Sequence, residues 1–313
     1  MFVNNSEESK IPIEILNNLG CFHFIIGESE KAKEYFTKSK SLLSSNVVED
    51  GVYANSLNIT TDFNIARITE EISPKDAEIL YSSIIKEHPS YIAARVKYLF
   101  CKFITTKKSN TNEILMKDIE NLVSKYQSNL EVRSFYTWFL NNDESRSKKT
   151  LNTLLTEHNK ETLTKYDSHD LYALISLANL YLIIARDLKK TQSPKDMDKS
   201  KQSLLKAIQL YQKVLQIDPL NCYAAQGIAI CFAQSKRLGP ALEILRKVRD
   251  SINNANVHIN LSNCLLEMNE YSKAIENYEI VLKKYPDLKL KSYILNLLGK
   301  AWYQRGLKEH NIE

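Results

Sequence analysis

The sequence predicts an all-α chain whose helical hairpins stack into a right-handed superhelix, an α-solenoid. Three observations predict it. The 313 residues include only 7 Gly and 7 Pro, under half of the roughly 12% of average usage. That is too few turn residues for a β-sandwich or barrel and too few glycines for a phosphate-cradling loop. A composition of 43% hydrophobic and 25% charged residues suits packed helices with a solvated face and fits neither a disordered nor a membrane-embedded chain. Finally, one pattern of small, bulky and helix-stopping residues returns at a fixed interval, the mark of stacked repeats.

The repeat is plainest in the second half. Ala207, Ala241 and Ala274 align at spacings of 34 and 33 residues. Four residues after each comes a bulky side chain, Tyr211, Leu245 or Tyr278, and three later a valine, Val214, Val248 or Val281. Pro219 and Pro286 close two of the three units, and Ile228-Ala229 with Phe232 and Leu261-Ser262 with Leu265 precede two of them. Small residues let two antiparallel helices approach, the bulky one fills the gap, and proline ends the second helix because it lacks an amide donor. Pro74 and Pro240 fall instead in the first turn of a second helix, where no amide is needed. These offsets resemble the tetratricopeptide repeat.

Taken in order, residues 1–12 read as an N-terminal tail and residues 13–168 as repeats, partly degenerate. A good repeat over about 13–45 rests on Leu19-Gly20, His23, Ala32 and Phe36. Residues 44–57 read as an irregular connector, and Ala66, Ala77, Tyr81, Ile84 and Pro89 mark a further repeat over about 58–90. Residues 91–128 and 129–160 are two helix pairs on periodicity alone, through Ile119, Leu122 and Tyr126, then Phe135, Trp138, Leu151 and Leu155. Regular repeats fill 169–291, with an extended hairpin at about 186–205. There Ala178 and Ala207 stand 29 residues apart, against 12 from Ala229 to Ala241. Both helices are expected to run one to two turns past the usual turn, with a short exposed loop around 190–196; a disordered loop is the alternative. Residues 292–313 match the first helix of another repeat through Leu295, Leu298-Gly299 and Trp302, with Gly306 at its turn. The chain is thus expected to be a piece of a longer protein, with one side of that helix uncovered.

A narrower resemblance spans the last 145 residues or so. It rests on the run from His169-Asp170-Leu171-Tyr172 to Ala178-Asn179, the over-long hairpin, and the run from Leu210-Tyr211 through Ile217-Asp218-Pro219-Leu220-Asn221 to Ile228-Ala229. Arg246-Lys247-Val248-Arg249 and Val257-His258-Ile259-Asn260 complete it. Together these resemble the tetratricopeptide scaffold subunit of the RNA polymerase II-associated factor (PAF) complex. His258 departs from that pattern, where the family usually places Trp. The resemblance implies a nuclear scaffold that holds other PAF complex subunits, including the parafibromin-type subunit, and reaches RNA polymerase II indirectly. It further implies support of transcription elongation and co-transcriptional histone modification. The alternative is a generic repeat adaptor, such as a chaperone cofactor or a transport adaptor.

Little in the sequence supports chemistry. No GxGxxG, GxxxxGKS/T, HExxH or GxSxG motif occurs, the six histidines are scattered, and the five cysteines form no CxxC pair. No catalytic, cofactor-binding or metal-binding residue is assigned, and no cofactor is expected. No apolar run approaches the ~18 residues of a membrane span, so no membrane partner is expected. A net charge of +5 is diffuse, and Lys283-Lys284, Lys289 and Lys291 read as solvated surface rather than a nucleic-acid contact. The candidate site is instead the concave groove lined by first helices, mainly at their positions 2, 5, 9, 12 and 13. Its residues are Tyr172, Ile175 and Asn179, with Ile183; Tyr223, Gln226 and Ile230, with Gln234; Ile259 and Asn263, with Asn256 and Glu267; and Tyr293, Asn296 and Lys300, with Gln304. Tyr, Asn, Gln and Ile together suit an extended or helical peptide whose backbone meets carboxamide side chains.

Overall fold

A computed structural model describes residues 11–44, 51–106, 112–191, 193–252, 254–286 and 290–309, and every regular element among them is helical. The chain is an α-solenoid divided into two compact units, Met1–Tyr136 and Thr137–Glu313.

The first unit holds α1 (Ile13–Ile25), α2 (Ser29–Ser44), α3 (Gly51–Ile72), α4 (Pro74–Glu87), α5 (Ile92–Thr106), α6 (Asn112–Lys125) and the start of α7 (Leu130–Asn142). Each helix packs against the next in the chain from α1 to α6. Small residues set the spacing. A Cβ placed on Gly20 would lie 2.5 Å from the Phe36 ring, so α1 and α2 meet only because position 20 has no side chain. Ala66, Ala77 and Tyr81 are fully buried in a separate core built from α3, α4 and α5. Pro74 opens α4 behind Ser73, whose hydroxyl accepts the Asp76 amide at 3.4 Å.

The irregular connector expected over 44–57 is corrected: α3 begins at Gly51, and only 45–50 lie outside the described residues. Gly, Asn and Ser have low helix propensity, but tertiary contacts outweigh it. The Tyr53 hydroxyl donates to the Glu14 carboxylate of α1, and the Thr60 and Thr61 hydroxyls donate to carbonyls one turn back.

The second unit completes α7 and adds α8 (Lys148–Glu161), a π-helical turn (Thr162–Tyr166), α9 (Leu171–Lys190) and α10 (Pro194–Ile217). After these come α11 (Cys222–Gln234), α12 (Leu238–Ser251), α13 (Ala255–Glu267), α14 (Tyr271–Lys284) and α15 (Lys291–Glu309). Ala207, Ala241 and Ala274 are wholly buried, as are Tyr211, Leu245 and Tyr278. Between α10 and α11 the sequence Asp218-Pro219-Leu220-Asn221 builds its own turn. Asp218 accepts from the Leu220 amide at 3.2 Å and the Asn221 side chain at 3.0 Å, while Asn221 caps α11 by accepting the Ala224 amide at 3.0 Å.

Helices α9 and α10 are the longest hairpin of this unit, at 20 and 24 residues. Their far turns are tied on three sides. Lys148 of α8 pairs with Asp187 at 2.6 Å, Lys189 donates to the Gln234 carbonyl of α11 at 2.9 Å, and the Ser200 hydroxyl donates to the Ala185 carbonyl at 2.7 Å. One sequence expectation fails here: α9 is long and apolar enough to cross a membrane by length and composition, with a mean hydropathy of 1.5. Its apolarity has a local use, because Leu174, Ala178, Leu182 and Ala185 pack into one core with Tyr211 of α10 and Ile228 of α11. The last helix also differs from expectation. Helix α15 passes straight through Gly306 to Glu309, since one glycine costs a helix only about 1 kcal/mol.

Candidate protein-binding groove

A groove of about 1000 Å³ runs across the first helices of the second unit. Helix α9 contributes Tyr172, Ile175 and Asn179, α11 contributes Tyr223, Gln226 and Ile230, α13 contributes Ile259 and Asn263, and α15 contributes Tyr293. These residues share a side because positions 2, 5 and 9 fall on one face of a helix of 3.6 residues per turn. Asn296 and Lys300 do not join them. Both are exposed further along α15, where the Lys300 charge acts on the Glu267 carboxyl. That carboxyl is held below its usual range chiefly by a 2.6 Å hydrogen bond from Lys236.

Sequence reasoning missed Ser176 and Asn260, one residue beyond position 5, and Leu151 and Asn152 of α8. The first two could have been found by widening the face by one position. The α8 residues lie in a helix pair that carries no repeat signature to align.

The electrostatics of the groove are distinctive. Among the described residues its one charged side chain is Lys148, which is paired with Asp187, so the lining is carboxamides, hydroxyls and aromatic rings over an aliphatic floor. Tyr223 is 61% exposed, Tyr172 46% and Tyr293 52%, a degree of aromatic exposure typical of surfaces that meet protein partners. Beneath the rim, the Tyr211 hydroxyl of α10 donates to Asn179 Oδ1 at 2.6 Å, and the Tyr278 hydroxyl of α14 donates to Asn263 Oδ1 at 2.5 Å. The Tyr211 ring packs close against α11: a Cβ on Gly227 would come within 2.3 Å of it.

Among the described residues no group of three His, Cys, Asp or Glu side chains is placed to hold a metal ion. Burial pushes the thiols of Cys101 and Cys231 up to about 12 and that of Cys264 up to about 11, which leaves them protonated and unreactive at neutral pH.

With this geometry in view, the comparisons are specific. Tetratricopeptide-repeat family models match residues 13–42 and 259–288. RNA polymerase-associated protein CTR9 of Saccharomyces cerevisiae is 53% identical over 97% of this chain. The chain is similar to that protein along nearly its whole length. Tetratricopeptide repeat protein 1 of Schizosaccharomyces pombe is 34% identical over 96% of the chain, and the chain spans 27% of the length of each of these two relatives. A tetratricopeptide repeat protein from Parabacteroides merdae superimposes with a TM-score of 0.55 at 14% identity, over 93% of this chain and 98% of its own, which shows the fold alone.

Proposed function

We propose that this chain is a protein-binding scaffold that acts in the nucleus as part of the PAF complex. In this reading it holds other PAF complex subunits, the parafibromin-type subunit among them, and through them acts at RNA polymerase II. There it supports transcription elongation and co-transcriptional histone modification. The observation that carries the reading is the 53% identity, over nearly the whole chain, to an RNA polymerase-associated protein. A generic adaptor role draws no separate support from any feature described above.

The groove supplies a mechanism suited to holding rather than transforming. Exposed Tyr172, Tyr223 and Tyr293 offer apolar area with little rotamer freedom to lose, and Ile175, Ile230 and Ile259 form the floor beneath a bound segment. Gln226, Asn179 and Asn263 give direction, each hydrogen bond to a partner being worth about 0.5–1.5 kcal/mol net.

The test is reconstitution with purified PAF subunits. Asn179→Ala combined with Asn263→Ala is expected to weaken co-purification in a chain that still unfolds cooperatively, with a modestly lowered melting temperature because each change removes the acceptor of a buried tyrosine hydroxyl. Undiminished association of that double variant would remove these residues from the interface, and failure of the unaltered chain to bind any PAF subunit would end the scaffold reading.

A further inference from the structure

We infer that Tyr211 and Tyr278 are positioning residues for the groove: their hydroxyls fix the Asn179 and Asn263 carboxamides so that each aims its N–H groups at the ligand, which is an extended polypeptide offering main-chain carbonyls there. This rests on the groove being the binding site and says what that site selects.

The first support is which atom is taken. In both pairs the phenol donates to Oδ1, and no other protein group among the described residues takes the Nδ2 hydrogens. The amide is planar and forked, so an Oδ1 tied to a phenol below turns the amino group away from it, toward the groove that both asparagines line. The reverse orientation would leave a buried phenol proton with no acceptor. Desolvation holds both phenols well above their ordinary pKa, so they remain donors throughout the physiological range.

The second support is that packing does not require the hydroxyls. Leu245 fills the matching place in α12 and is as fully buried as the two tyrosines. There the groove residue opposite is Ile230, which has nothing to orient. Across three successive hairpins the pair is therefore Tyr with Asn, Leu with Ile, and Tyr with Asn. The polar knob occurs where a carboxamide needs holding.

The third support is charge and reach. Among the described residues Lys148, paired with Asp187, is the one cation that lines the groove, too little charge to neutralise the phosphates a nucleic acid would bring. Helix α11 lies between α9 and α13 and touches both. Helices packed 8–10 Å apart put the two donors roughly 16–20 Å apart, or about five or six residues of extended chain. A helical ligand would spend its carbonyls internally; an extended one leaves them free.

The experiment uses overlapping capped peptides tiled across the PAF subunits of budding yeast, with affinities read by fluorescence anisotropy. Tyr211→Phe and Tyr278→Phe should each weaken the best peptide by about two- to ten-fold, the value of one hydrogen bond, with the melting curve little changed. Asn179→Asp, which keeps an acceptor for the phenol but faces the peptide carbonyl with a second oxygen, should weaken it by about ten-fold or more. In a chain already carrying Asn179→Ala and Asn263→Ala, the Tyr→Phe changes should cost nothing further. If the alanine changes weaken binding and the phenylalanine changes do not, the groove stands and the positioning role falls. If neither set matters, if no peptide binds, or if the groove instead takes single-stranded RNA with a steep salt dependence, the groove reading falls with it.

Discussion

His258 shows what a single residue can do in a repeat whose pattern it does not fit. It is 8% exposed near the start of α13, in a cavity it shares with Arg249 and Asp250 of α12 and Lys284 of α14. Burial holds its pKa below the ordinary value of 6.5, the Lys284 and Arg249 charges hold it lower still, and a hydrogen bond with the Asn277 side chain pulls the other way. Asp250 does little to offset the cations because it is engaged with Arg249 at 2.9 Å. Its Nδ1 is buried with no hydrogen-bond partner among the described residues. The unfolded chain therefore takes up a proton at this site more readily than the folded one. The resulting loss of stability is absent above pH 6.5 and grows as pH falls below it. Melting temperatures of the wild type and His258→Leu, measured across pH, should run parallel above that value and diverge below it, with the wild type falling faster. Parallel curves throughout would mean that the histidine is not held neutral.

At the scale of the element, the hairpin turns carry a testable strain. Three of them place one residue in the left-handed region: Gly27 at φ 84° between α1 and α2, Lys236 at φ 60° between α11 and α12, and Asn269 at φ 61° between α13 and α14. A Cβ on Gly27 would meet nothing within 4 Å, so Gly27→Ala isolates the backbone cost. It should destabilise by about 1–2 kcal/mol in denaturant titrations; no change would show that this turn relaxes freely. Lys236 bears the same geometry, and its side chain pairs with Glu267 at 2.6 Å on the exposed surface.

The elements also show what the sequence can and cannot disclose. Buried Ala207, Ala241 and Ala274 were readable because close helix approach leaves room for nothing larger, and that constraint repeats at a countable interval. The start of α3 and the passage of α15 through Gly306 were not readable, because propensity is a weak force there and contacts such as Tyr53 with Glu14 come from residues far apart in the chain. The common face of the groove residues follows from helical period alone, though Asn296 and Lys300 fall outside its lining. The orientation of a carboxamide does not follow from period, because Tyr211 lies 32 residues from the Asn179 it holds.

For the whole molecule, the governing consequence of the stack is that stability is shared between neighbours rather than throughout. Helices α9, α11 and α13 each touch their own partner and the adjacent hairpin, and Tyr278 belongs to a core built from α11 to α15. Truncating it by Tyr278→Ala removes a fully buried ring and should cost that neighbourhood about 3–5 kcal/mol. Native-state hydrogen exchange can locate the loss. Amides of α13, α14 and α15 should exchange faster by roughly two to four orders of magnitude, at 1.4 kcal/mol per factor of ten. Those of α1 to α4, which belong to the first compact unit, should keep their protection. A uniform acceleration across all helices would mean that the molecule opens as one cooperative block, in which case the groove could not be loosened at one hairpin while its neighbours hold their shape.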